Sequence, residues 1–347
     1  MLRPVPEADL RHILEHSEPL WNELRGQRLF ITGGTGFFGL WLLEAMRAAN
    51  ERLGSRISAT VLSRDPPAFS IRAPHLASQP GLTWLRGDVR HFASPQGQYD
   101  HIIHAAAESS TDLNERRPDT MLDTIVCGTR RVLDFATSAG IKSLLLVSSG
   151  AVYGRQPPEL QHVPETLVGG PDVNSPHSAY AEGKRVAELL CAIAEKQCGI
   201  HTKIGRCFTF VGPHLPLGAH FAAGNFLRDA VAGGPIIVSG DGTAYRSYMY
   251  PADLVIWLMT ILVRGKNNRP YNVGSDQSVS IAELAHRIAN TVGSNRRLEV
   301  RGQPSGKAPE RYVPHTGRAR VELGLDTTIS LDTALQRTFT WLTKAEK

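Results

Sequence analysis

Ile31-Thr32-Gly33-Gly34-Thr35-Gly36-Phe37-Phe38-Gly39-Leu40 is the stretch whose reading decides the fold. Just before it, Arg28-Leu29-Phe30-Ile31-Thr32 is a brief apolar run of the kind found in a parallel strand buried on both faces. Just after it, Phe38 to Arg47 is apolar at helical spacing. Between the two, glycine recurs as G-x-x-G-x-x-G. In a strand-turn-helix unit Gly33 permits the tight turn, Gly36 lets the backbone approach a ligand, and Gly39 lets helix and strand pack closely. The positive end of the helix then faces an anion. At the head of an alternating series, that anion is the pyrophosphate of a nicotinamide dinucleotide.

The series continues outward. Ala59-Thr60-Val61-Leu62 predicts a second strand, Thr83-Trp84-Leu85 a third, His101-Ile102-Ile103-His104 a fourth and Leu144-Leu145-Leu146-Val147 a fifth. Helical patterns lie between them, notably Thr124–Ser138. Alternation of this kind predicts an α/β fold, a Rossmann-type doubly wound parallel sheet. Residues 1–27 predict a helical extension, with Leu10, Ile13, Leu14 and Leu20 at near-helical spacing. From Thr209 the rhythm changes. Pro213, Pro216 and Gly218 mark a loop, and short strands (Ile236–Ser239, Tyr271–Val273) mix with helices (His220–Ala232, Ala252–Val263, Ile281–Val292). The expected organisation is residues 1–27 as extension, 28–208 as dinucleotide-binding domain and 209–347 as a smaller mixed α/β C-terminal substrate lobe with returning segments.

Composition narrows the class. The 347 residues are 41% hydrophobic and 20% charged, which excludes a disordered chain. Lys and Arg exceed Asp and Glu by 38 − 33 = +5, but the basic residues are scattered without interleaved aromatics, so a nucleic-acid groove is not expected. Cys127, Cys191, Cys198 and Cys207 form no C-x-x-C pair or zinc spacing, so they read as buried thiols and no metal is expected. The acidic and proline residues of Met1–Asp9 do not suit a signal peptide. The longest apolar run, Leu254–Val263, is about ten residues, too short to span a bilayer. The expectation is a cytoplasmic protein without a membrane partner.

The second strand ends in Ser63-Arg64-Asp65. A site for NAD usually places an acid there to hold the ribose hydroxyls, whereas a hydroxyl and a guanidinium suit a 2′-phosphate. NADP is therefore favoured over NAD, with Asp65 one position later as the residue that would reverse the preference. Asp88, in Gly87-Asp88-Val89, suits the adenine amino group or an ordinary turn.

Tyr180-Ala181-Glu182-Gly183-Lys184 puts a phenol and an ammonium four residues apart on one helix face. A free tyrosine has a pKa near 10, and a nearby positive charge lowers it toward use as a base. Val147-Ser148-Ser149-Gly150-Ala151-Val152-Tyr153-Gly154 follows the fifth strand, where the Ser149 hydroxyl can hold a reacting oxygen beside that phenol.

Together these segments resemble the extended short-chain dehydrogenase/reductases of the nucleotide-sugar epimerase/dehydratase family. The resemblance runs from about Leu29 to beyond Gly274. It rests on Thr32–Gly39, Gly87-Asp88, His104–Asp112, Ser148–Gly154, Tyr180–Lys184, Arg206–Pro213, Gly240–Leu254 and Asn272–Gly274. It implies bound NAD(P), a nucleoside-diphosphate sugar substrate, reversible oxidation at the sugar C4, and a homodimer. It also implies Ser149, Tyr180 and Lys184 as the catalytic set. The expected cofactor set is Gly33, Thr35, Gly36, Phe37, Phe38, Gly39, Ser63, Arg64, Asp88, Val89, Ala105, Ala106, Tyr180 and Lys184. The expected substrate set is Glu108, Ser109, Ser149, Thr209, Asn225 and Arg246, the last matching an arginine that binds the substrate diphosphate.

The chain also departs from the family's pattern. Family dehydratases carry an acid or an acid–amide pair after the catalytic hydroxyl, where this chain has Gly150 and Ala151. Ala106-Ala107-Glu108-Ser109 conversely resembles the dehydratase version of its segment. Thr209 and Ile125 stand where the family commonly has Asn. The expectation is a nucleotide-sugar 4-epimerase. A 4,6-dehydratase or 4-keto reductase on the same frame is the alternative, and a non-catalytic dinucleotide sensor a remote one.

Overall fold

A computed structural model describes residues 1–107, 111–218, 221–291, 296–303, 306 and 308–344. In chain order the strands are β1 (Arg28–Thr32), β2 (Ser58–Ser63), β3 (Leu82–Arg86), β4 (His101–His104), β5 (Ser143–Ser149), β6 (His201–Cys207), β7 (Ile236–Val238), β8 (Tyr245–Ser247), β9 (Pro270–Val273), β10 (Ser278–Ser280), β11 (Leu298–Val300) and β12 (Arg311–Tyr312). The helices are α1 (Glu7–Glu23), α2 (Phe37–Leu53), α3 (Pro66–Arg72), α4 (Pro74–Ala77), α5 (Thr111–Arg116), α6 (Pro118–Ser138), α7 (Ala179–Cys198), α8 (Ala222–Ala232), α9 (Pro251–Arg264), α10 (Ile281–Thr291), α11 (Gly317–Leu323) and α12 (Leu331–Thr343).

The main sheet has the order β3-β2-β1-β4-β5-β6-β9, a Rossmann-like doubly wound arrangement. Its pairings β2–β3, β1–β2, β1–β4 and β4–β5 are all parallel. The order reverses between β1 and β4, and such a switch point opens a crevice at the carboxyl ends of the strands. On one face, Phe30, Leu62, Ile102, Leu144 and Leu146 bury against Ile125, Val132 and Phe135 of α6 and Ala187 and Cys191 of α7. Phe30 meets the Phe135 ring edge-on at 4.9 Å between centroids. α2 covers the opposite face: Val61 and Leu43 close around Gly34. α1 packs against α2.

The chain divides into two compact units. One holds Met1–Val152, Gly170–Arg206 and Val255–Tyr271; the other holds Tyr153–Gly169, Cys207–Leu254 and Asn272–Lys347. The second unit contains a three-stranded sheet, β10-β8-β12, and the parallel pair β11-β7.

Several expectations are revised. The strand expected at Tyr271–Val273 in the C-terminal lobe is β9, the seventh strand of the main sheet. Most of the helix expected there, as Val255–Arg264, likewise belongs to the first unit. Its reason is apolarity on all sides, which a small lobe cannot bury: Leu254, Val255, Trp257, Leu258, Ile261 and Leu262 are all buried. β6 has no counterpart among the expected strands, since His201, Lys203 and Arg206 interrupt its apolar pattern. The four cysteines are free, but only Cys191 and Cys207 are buried; Cys127 faces outward from α6 and Cys198 is half-buried. No described helix is long and apolar enough to cross a membrane.

Gly39 lies on the backbone of Gly33 and Gly34, so a methyl group there has nowhere to go but into main chain. Gly39→Ala is expected to lower stability by about 1–3 kcal/mol through overpacking. Urea unfolding of the variant checks this; an unchanged midpoint contradicts the packing argument.

Candidate active site

The glycine turn is shaped by backbone on backbone. Gly33 has φ +76°, and a Cβ there would lie 2.6 Å from the Ala105 carbonyl. The Gly36 amide donates to the Gly33 carbonyl at 3.1 Å, and the Leu40 amide to Gly36 at 2.9 Å. Gly36 is the N-cap of α2, no side chain caps that end, and no acid stands in the first turn. The first amides of a 17-residue helix have no intrahelical acceptor, and its N-cap offers them no side chain. A dinucleotide pyrophosphate fits this end by charge and by hydrogen bonding. Thr35, Phe37 and Phe38 flank it, each half-buried.

At the end of β2, Ser63 is buried and its Oγ accepts from the Asp65 amide at 3.3 Å. Arg64 is exposed. Asp65 does not turn inward: it caps α3, accepting from the Ala68 amide at 3.1 Å. Asp88 is gripped by Arg90, whose Nε and Nη2 donate to its two oxygens at 2.9 Å each. That guanidinium holds the Asp88 carboxyl down at about 2. The Val89 side chain belongs to the core and packs on Gly128, which leaves its backbone as what it can offer a ligand. Ala105 and Ala106 lie against the glycine turn, and the Ala105 amide donates to the Thr32 carbonyl at 3.2 Å.

Ser149 is the last residue of β5 and is 7% exposed. Its Oγ accepts from the Ala151 amide at 3.1 Å, and its own proton has no acceptor among the described residues. A single 3₁₀ turn, Gly150–Tyr153, follows. Tyr180 stands in the first turn of α7, half-buried, with its amide donating to Asn114 Oδ1 at 3.1 Å. Asn114 in turn donates to the His177 carbonyl at 2.8 Å, which ties α5 to the entry of α7. Lys184, 4% exposed, donates from Nζ to the Val147 carbonyl at 2.7 Å. Its ammonium lies 6.0 Å from the centre of the Tyr180 ring. β5 and α7 therefore bring serine, phenol and ammonium into the first unit together with the glycine turn.

Of the remaining substrate candidates, Thr209, Asn225 and Arg246 lie in the second unit. Thr209 donates its hydroxyl to the Ser247 carbonyl. Asn225 accepts from Arg228 at 3.2 Å. Arg246 is half-buried, donates to the Tyr245 carbonyl at 2.8 Å and has Glu310 at 3.8 Å. Glu108 and Ser109 lie outside the described residues. Ile125 is buried midway along α6 against Gly183 of α7, so the helix contact there is apolar.

Two residues escaped the sequence reading. His104, at the end of β4, is 3% exposed. Its Nδ1 lies 2.8 Å from Thr32 Oγ1 and its Nε2 lies 3.1 Å from Thr129 Oγ1. Thr129 spends its own proton on the Ile125 carbonyl at 2.7 Å, so it accepts from Nε2–H. Nδ1 is then the acceptor for the Thr32 hydroxyl, whose oxygen also accepts from the Ala106 amide at 3.1 Å. The chain of donors defines a neutral imidazole that pins the Ala105–Ala106 segment to the end of β1. Burial, with the Lys184 ammonium behind it, holds His104 down at about 3. Glu188, four residues beyond Lys184, accepts from Ser148 Oγ at 2.5 Å and from Arg206 Nη2 at 2.7 Å. A histidine ending an apolar strand, and an acid at i+4 from the lysine, were the available signals.

Sheet order and turn together mark a dinucleotide-type Rossmann protein, and comparison with known proteins specifies which. Residues 29–274 match the NAD-dependent epimerase/dehydratase family, and the chain belongs to that family. It is similar to UDP-glucuronic acid decarboxylase 2 of Arabidopsis thaliana, 30% identical over 314 residues, covering 90% of this chain and 67% of that protein. It is also similar to UDP-glucuronic acid decarboxylase 1 of Xenopus tropicalis, 28% identical over 318 residues, covering 92% of this chain and 72% of that protein. Among solved structures, UDP-glucose 4-epimerase of Thermotoga maritima shares the fold with a TM-score of 0.76 at 18% identity, covering 91% of this chain and 98% of that one. dTDP-glucose 4,6-dehydratase of Streptomyces venezuelae does so with a TM-score of 0.76 at 24% identity, covering 90% and 96%.

A histidine held neutral makes folding sensitive to acid. Its folded value lies below the ordinary 6.5, so the unfolded chain takes up the proton first as pH falls. Stability is full above about pH 6.5 and declines from there toward about pH 3, by about 2 kcal/mol at about pH 5. His104→Gln, which keeps a donor and an acceptor but does not titrate, is expected to flatten the decline in Tm between pH 7 and pH 5. Parallel Tm curves for both proteins contradict the assignment.

Proposed function

We propose that this protein is a nucleotide-sugar 4-epimerase with NADP as its cofactor. The observation that carries the reading is the set Ser149, Tyr180 and Lys184 in the same unit as the glycine turn, with Gly150 and Ala151 rather than acids after Ser149. The pyrophosphate would rest on the α2 amides, the adenosine end near Ser63, Arg64 and Asp88, and the nicotinamide end toward Ala105, Ala106, Tyr180 and Lys184. The bound nicotinamide supplies the acceptor for the C4 hydride and its donor once the keto sugar has turned.

The protein's own groups handle the proton and the oxygen. Ser149, fixed by the Ala151 amide, donates to the C4 oxygen. Tyr180 as phenolate takes the C4 hydroxyl proton and later returns it. The Lys184 ammonium, anchored on Val147, favours the phenolate by charge. Gly150 and Ala151 move no proton, so elimination of water across C5 and C6 finds no acid at these two positions. Arg246 and Thr209, with Asn225, are the proposed contacts to the sugar nucleotide, Arg246 to the diphosphate. Leu189, 60% exposed, with Leu122 and Ile193, gives α6 and α7 an apolar surface suited to a homodimer.

The relatives favour a second reading. Oxidation at C4 of a nucleotide uronic acid would make a β-keto acid, whose C5–C6 bond breaks with its electrons passing to the C4 oxygen and carbon dioxide leaving; C5 then takes a proton and C4 takes the hydride back. The bond cleavage itself needs no carboxylate after Ser149. Incubation with UDP-glucose and with UDP-glucuronic acid, read by mass spectrometry, decides between the two. A reversible isomer of unchanged mass supports epimerisation, loss of carbon dioxide supports decarboxylation, and loss of water overturns both. Tyr180→Phe is expected to lower turnover about 10²–10⁴-fold while leaving dinucleotide binding intact. Undiminished turnover removes Tyr180 from the chemistry, and no turnover in either protein leaves a sensor.

A further inference from the structure

We infer that Arg86 is a specificity residue for the cofactor, binding the 2′-phosphate together with Ser63 and Arg64; this rests on the NADP reading above. Ser63 ends β2 and Arg86 ends β3, and the two are partners in the parallel register. The Gly87 amide donates to the Ser63 carbonyl at 2.9 Å, carrying the pairing past the end of β3. Partners in adjacent strands stand about 4.8 Å apart and share a face. That face is the one the glycine turn lies on: Val61, two residues before Ser63 in β2, is the side chain a Cβ on Gly34 would strike. Arg86 is exposed and makes no hydrogen bond or ion pair with any described residue.

The nearby acids explain why an anion would be welcome. Asp65 is spent on the α3 amide of Ala68. Both Asp88 oxygens are taken by the Arg90 guanidinium, and the Arg90 amide adds a third bond at 2.9 Å. Neither carboxylate neutralises Arg86, although Asp88 is only two residues away. Ser63 accepts from the Asp65 amide, which leaves its hydroxyl proton to donate. A hydroxyl donor and two guanidiniums beside committed carboxylates suit a phosphate dianion. A ribose diol, which donates, would instead need a free carboxylate at this place.

Fluorescence titration of NADPH and NADH separates the possibilities, with wild type, Arg86→Gln, Arg86→Lys and Arg64→Ala compared after circular dichroism. Wild type is expected to bind NADPH more tightly. Arg86→Gln is expected to weaken NADPH about 10- to 100-fold and leave NADH unchanged, while Arg86→Lys keeps part of the preference. If Arg64→Ala abolishes the preference and Arg86→Gln does not, Arg86 has no such role and the NADP reading survives. An equal loss for both nucleotides in Arg86→Gln makes its effect merely structural and overturns the inference. Wild type binding NADH at least as tightly as NADPH overturns the NADP reading itself. Should Arg86→Gln misfold, the NADPH-to-NADH ratio of Arg86→Lys carries the test: an unchanged ratio counts against Arg86.

Discussion

Contact of main chain with main chain at the carboxyl end of β1 is the constraint on which the rest depends. Gly39 lies on Gly33 and Gly34, and Gly33 lies on Ala105, at separations that no side chain allows. This closeness brings the start of α2 to the end of β1, with no capping side chain and no acid in its first turn, so the helix end suits an anion. It also holds the end of β4 against the same turn. The switch point of the sheet is therefore closed by glycines on one side and by the segment after His104 on the other.

The His104 chain is the polar counterpart of that contact. Thr32, His104, Thr129 and the Ala106 amide satisfy one another in a single arrangement of protons. A buried imidazole is tolerated because it stays neutral and both nitrogens are occupied. Such a network is directional where apolar packing is not, and it sets the position of the Ala105–Ala106 backbone within narrow limits. Glu188 does similar work beside Ser149, with Ser148 and Arg206 sharing its carboxylate.

Charge around the site follows one rule among the described residues: Asp65, Asp88 and Glu188 are all occupied. Asp65 caps a helix, Asp88 holds Arg90, and Glu188 holds Arg206. Donors and cations stand beside them: the positive end of α2, the Ser149 hydroxyl, the Lys184 ammonium anchored on Val147, and Arg86. A site with this balance favours anionic ligands and an oxygen that gains negative charge during reaction.

The sequence by itself determined the strand–turn–helix at Gly33–Gly39, the first five strands and the Tyr180–Lys184 spacing. Each of these rests on local chemistry: glycine's backbone freedom, the periodicity of apolar residues, and the geometry of one helix face. It could not place β9 in the main sheet, since which sheet receives a four-residue strand depends on partners distant in the chain. Nor could it tell that Asp65 turns to cap α3, or that Asp88 is taken by Arg90. Residues of one type at one spacing can bond in several ways, and only the packed backbone selects among them. The register that sets Arg86 beside Ser63 is of the same kind. Twenty-three positions separate the two in the chain, and hydrogen bonds between two strands make them neighbours.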